Sequence, residues 1–101
     1  MPSEQPEYLP VKYIVAIYEN SFAKDNCRGS VETSAPLHPI HGGDYISAEA
    51  SDTWGAGIDV PEKHVLRVIA VRHFFARIGQ THIIHSMSVC VQAIPAPVGF
   101  F

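Results

Sequence analysis

No acidic residue follows Glu62. The last 39 positions carry Lys63, Arg67, Arg72 and Arg77, together with His64, His73, His82 and His85. All ten acids lie in the first 62 residues against Lys12, Lys24 and Arg28, a formal −7, while the remainder is +4. An acid-free basic segment needs an anionic counterpart, in the chain's own first half or in another molecule. Long apolar runs are also missing, and nothing approaches the ~18 residues of a membrane-spanning helix. The opening Met-Pro-Ser-Glu-Gln-Pro-Glu has no basic patch and no apolar centre, so it does not read as a secretory signal. Cysteine is scarce: Cys27 and Cys90 stand far apart, which excludes a disulfide scaffold and reads as a reduced, cytoplasmic protein.

Catalytic signatures are scarce too. No serine sits in a Gly-x-Ser-x-Gly turn between a strand and a helix. Gly55-Ala-Gly57 lacks the lysine and spacing of a phosphate-binding loop. The second half offers no carboxylate pair for acid–base work. The sequence therefore leans away from an enzyme, and nothing in it asks for a cofactor.

What the chain does have is enough apolar matter for a core. Its 101 residues are 47% hydrophobic, the size of one ordinary domain. Residues 1–10, with three prolines, read as an extended lead-in, and residues 11–101 as one globular unit. Val11 to Glu19 is β-branched and aromatic throughout, as a strand covered on both faces is. Asn20 to Gly29 reads as one short helix, with Asn20 or Ser21 as cap and Gly29 as stop. Val31–Thr33 and Asp44–Ala50 read as further strands. Two prolines and a Gly pair make 35–43 a loop, and Ser51 to Glu62, with the single tryptophan Trp54, another.

The segment 63–78 places its three arginines all round a helix, leaving no apolar stripe, and so reads as a strand. Gly79-Gln80 then forms a two-residue hairpin turn and 81–94 the returning strand. With Ile78 opposite Thr81, one face collects Leu66, Val68, Ala70, Arg72, Phe74 and Ala76 against Ala93, Val91, Val89, Met87, His85 and Ile83. The other collects Arg67, Ile69, Val71, His73, Phe75 and Arg77 against Gln92, Cys90, Ser88, Ser86, Ile84 and His82. The resulting expectation is a mainly-β fold with at most one short helix near 20–28. Its sheet is small, twisted and antiparallel, or a partly open barrel, with about five strands.

Four places in this scheme offer chemistry or contacts. Arg72 and His85, beside Phe74 and Met87 on the apolar face, suit a small anionic or aromatic ligand. Arg67, His73, Phe75, Arg77 and His82 on the mixed face suit a homo-oligomer interface, or phosphates and a stacked base of single-stranded nucleic acid. The tail, with Val98, Phe100 and Phe101, is too apolar to stay free and docks on its own core or on a second copy. His38, His41 and Asp44 share a loop, and His82 and His85 repeat the His-x-x-His spacing, the basis of a less favoured metal-dependent hydrolase. Strand alternation puts His82 and His85 on opposite faces and rules them out as a chelate. The function that follows is a small, oligomeric, non-catalytic binding protein. Nucleic-acid binding is the alternative; no membrane or metal partner is expected.

Overall fold

The structure, a computed structural model, describes residues 8–36, 39–47, 49 and 56–100. Five strands form one curled sheet, a half-barrel: β1 Val11–Glu19, β2 Cys27–Thr33, β3 Tyr45–Ile46, β4 His64–Ile78 and β5 His82–Pro95. Their order across the sheet is β2-β1-β5-β4-β3. The mainly-β, partly open barrel expected from the sequence is therefore the observed architecture, with one departure. β1 runs parallel to β5, so the sheet is mixed rather than antiparallel. No local signal sets the direction of a pairing between strands some 70 residues apart. It is decided by which apolar faces meet.

The expected helix over 20–28 is not formed. Only Lys24–Asn26 makes a single 3-10 turn, and Cys27 already belongs to β2. The Ser21 hydroxyl accepts the Ala23 N–H and the Asn26 side-chain N–H, folding the segment back on itself instead of starting a helix. Gly29, read as a helix stop, lies opposite Ile17 in the β1–β2 ladder. The expected strand over 44–50 is reduced to Tyr45–Ile46, and its end, like Trp54 and most of 1–10, lies outside the described residues.

The β4–β5 hairpin dominates the molecule. A strand of 15 residues spans about 50 Å at ~3.3 Å per residue, within a longest dimension of 62 Å. Its register matches expectation only in the half near the core: Leu66 faces Ala93, Arg67 faces Gln92 and Val68 faces Val91. At Ile69 the strand bulges, so that Ala70 faces Cys90 and every later pair is shifted by one. Arg72 faces Ser88 rather than Met87, and Phe74 faces Ser86 rather than His85. The turn absorbs the shift. Ile78 pairs with His82, because Thr81 leaves the ladder to give both its N–H and its hydroxyl to the Ile78 carbonyl. Gly79 supports that turn at φ +52°, a conformation costly for other residues. The position of the bulge has a local reason. Val68 is bonded on its outer side to Gly43 and Asp44, and this outer support ends there.

The concave face holds the core. Val15 and Ile17 of β1, Leu66 and Val68 of β4, and Val89 and Val91 of β5 are all but inaccessible. Each such side chain contributes roughly 1.5–3 kcal/mol. Ile46, Ile40 and the segment carrying Ala56, Ile58 and Val60 pack over them. Among the described residues no helix is long and apolar enough to cross a membrane.

Cys27 and Cys90 both oppose Tyr18, from β2 on one side and β5 on the other. Two strand spacings, roughly 10 Å, exceed the reach of a disulfide, and both thiols are free. Burial raises the Cys90 thiol pKa above its usual value. The unfolded chain then releases this proton first as pH rises, so stability falls above about pH 8.5–9. A thiol reagent at pH 8 should modify Cys27 at once and Cys90 only on unfolding. In Cys90→Val the alkaline loss of stability should shrink. Equal labelling rates at the two thiols would show that the Cys90 environment is open.

Candidate functional site

The bulge decides which side chains meet. Before it, even-numbered residues of β4 face the core; after it, odd-numbered ones do. The distal concave face therefore carries His73 and Phe75 of β4, His85 and Met87 of β5, and Tyr13 and Val15 of β1. Pro36 and Pro39, from the segment that follows β2, close over them. Between these walls lies an almost wholly apolar cleft of about 190 Å³, lined by Tyr13, Val15, Pro36, Pro39, His73, His85 and Met87 among others.

Its rings form one connected cluster. Phe75 stacks on His85 at 4.4 Å between centroids and 17° between planes. Tyr13 meets His85 edge-on at 5.9 Å. His73 lies 5.1 Å from His85, and its Nδ1 is 2.9 Å from His85 Nε2. One of these nitrogens must donate and the other accept, so the bond exists while the pair holds a single proton between the two atoms. Charging both rings sets two N–H groups against each other and removes it. The pair is thus a hydrogen-bonding element in an almost wholly apolar cleft.

The ligand set read from the sequence is divided. His85 and Met87 are in the cleft; Arg72 and Phe74 lie on the convex face. There the Arg72 guanidinium sits 4.3 Å from the Phe22 ring centroid and 5.7 Å from that of Tyr18. Those two rings meet edge-on at 5.5 Å. Arg72 is thereby committed to a cation–π contact rather than aimed at an anion in the cleft.

The proposed basic face is split as well. His73, Phe75 and Arg77 are concave, whereas Arg67 and His82 are convex. Arg77 also bonds the Gly79 carbonyl and Gln80 Oε1 across the turn. Phe100 meets Tyr45 edge-on at 5.5 Å, so the tail returns to its own sheet beside β3, while Phe101 lies outside the described residues. His82 and His85 fall on opposite faces, as alternation requires. His41 donates its N–H to Asp44 Oδ2 at 2.8 Å and accepts the Asp44 N–H on its carbonyl at 3.1 Å, which is a turn. His38 is outside the described residues. Among the described residues no group of three metal-ligating side chains converges.

Sequence reading missed Tyr13, Val15, Pro36 and Pro39 as walls of the cleft, and Tyr18 and Phe22 as the partners of Arg72. Tyr13 was visible only as one ring in a strand apolar on both faces, and its neighbour depends on the parallel β1–β5 pairing. No family model, curated protein or solved structure matches this chain.

Proposed function

We propose that the protein binds a small apolar or aromatic molecule in the cleft framed by Tyr13, His73, His85, Met87 and the two prolines, without transforming it. The observation that carries this reading is a hydrocarbon cleft walled by rings, with one hydrogen-bonding pair as its polar handle. That is the usual constitution of a ligand site. Its volume of about 190 Å³ exceeds the ~150 Å³ cavity that accepts benzene, which leaves room for one ring system and a polar substituent. The displacement of Arg72 to the other face favours a neutral aromatic over an anion. The ligand's donor or acceptor would compete for the His73–His85 bond.

Indole is a suitable probe, since it pairs one flat ring system with one N–H. Its affinity should be weak, on the order of millimolar for so few atoms. Titration followed by NMR should shift the Met87 methyl and the His73, His85 and Tyr13 ring signals together, with one dissociation constant. Shifts confined to the convex face, or none up to the solubility limit of indole, would overturn the proposal.

A further inference from the structure

From Ile69 to Ile78, β4 has β5 on one side and, among the described residues, no strand on the other. Among the described residues β3 pairs with Leu66 and Arg67, and outer backbone bonds reach as far as Val68. An antiparallel ladder uses alternate residues for each neighbour. Half the N–H and C=O groups of this ten-residue edge are therefore turned outward. Natural edges are blunted by proline, charged side chains, bulges or brevity. Val71–Ile78 is long, has no proline, and its two charges are drawn aside, Arg72 over the Phe22 ring and Arg77 to the Gly79 carbonyl and Gln80 Oε1 at the turn. The bulge at Ile69 lies at the start of the open stretch and leaves Ala70–Ile78 uninterrupted. The stretch also carries Ile69, Phe74, Phe75 and Ile78 as exposed apolar side chains on both faces, the two phenylalanines about two-thirds exposed at 64% and 66%.

We propose that this edge pairs with the same edge of a second copy, antiparallel about a two-fold axis, and that the second copy completes the cleft. Self-pairing is favoured because the strand complements itself. With His73 or Phe74 at the axis, Arg72 faces Phe74 or Ala76 of the other copy, and Arg77 faces Ile69 or Val71. No arginine meets an arginine, a pairing that would oppose like charges. Paired residues share a face, so the other copy's Val71, His73 and Phe75 continue the concave surface beside the first copy's His73 and Phe75. They extend the concave wall past the edge at which, among the described residues, the single chain stops. Edge pairing covers the flanks of side chains that stand perpendicular to the sheet, so the exposed two-thirds of four phenylalanines contribute at most roughly 400–650 Å². With the isoleucines and the strand backbones added, that reaches the low end of specific interfaces, which fits a micromolar dimer.

The role of this dimer at the cleft rests on the ligand reading above, whereas the pairing itself does not, and the test separates them. Sedimentation equilibrium of the full chain should show a reversible monomer–dimer transition in the micromolar range. Phe74→Lys, on the convex face and outside the cleft, should raise the dissociation constant at least tenfold and leave the circular dichroism spectrum unchanged. Val98→Lys, fully exposed near the C-terminus, should have no effect. His73→Cys or Phe74→Cys, in a Cys27→Ala background, should form an intermolecular disulfide on mild oxidation. A monomer at 200 μM overturns the proposal and assigns the edge to another partner. So does a dimer that Phe74→Lys leaves intact and that neither engineered cysteine crosslinks. A dimer broken by Phe74→Lys that binds no indole upholds the pairing and removes only the ligand reading.

Discussion

Replacing Leu66 with alanine is expected to cost about 2–5 kcal/mol, the range for emptying a fully buried leucine site. Leu66 is 0% exposed and packs within the concave core. It also lies in the part of the hairpin closed on both sides, opposite Ala93 on β5 and Ile46 on β3. A domain of this size has only about 5–15 kcal/mol of stability in all. At a urea dependence of ~1–3 kcal/mol per molar, the unfolding midpoint should fall by roughly 2 M. Phe74→Ala makes the contrast. It removes a larger side chain from the same strand, yet one exposed on the convex face of the single chain. At concentrations well below micromolar, where the chain is monomeric, its effect should therefore stay within about 0.5 kcal/mol. Equal costs for the two would mean that the face assignment beyond the bulge is wrong.

The second large effect is expected at His85. Its ring is the hub of the cleft, stacked on Phe75, bonded to His73 and touched edge-on by Tyr13. Alanine there removes all three contacts. Indole affinity should fall at least tenfold, because the remaining rings lose the surface that aligns them and His73 loses its partner. The stability cost should be at most about 2–3 kcal/mol, since two aromatic contacts and one exposed hydrogen bond each contribute roughly 1 kcal/mol or less. Binding within twofold of the unaltered protein would show that the ligand, if any, sits elsewhere. Arg72→Ala is the paired control. Its guanidinium lies over Phe22 on the other face, so indole affinity should be unchanged.

These expectations show how far the residues themselves could be read. The apolar run of Val11–Glu19 and the long hairpin around Gly79 were legible, because alternation, β-branching and a turn glycine are local properties of the chain. The first strand is found over the range expected, and the hairpin strands begin and end within about one residue of it. The side-chain sorting was legible only up to Val68. One unpaired residue, Ile69, exchanges the faces of everything after it, since side chains alternate with a period of two. It moved Arg72 and Phe74 out of the cleft and brought His73 and Phe75 in. Both sequence patterns are self-consistent, so inspection of either strand does not choose between them.

Residue type and short-range order suffice for a mainly-β chain with a long hairpin, an apolar core and an acid-free second half. It takes the assembled fold to lay β1 parallel to β5, to bring Tyr13 against His85 and to close the cleft with two prolines from the segment after β2. The fold also leaves the outer edge of β4 beyond Val68 without a strand partner among the described residues, because β3 stops at Ile46. These outcomes depend on which distant apolar surfaces exclude water against one another. That choice is made by the whole assembled core and is not written in any one segment.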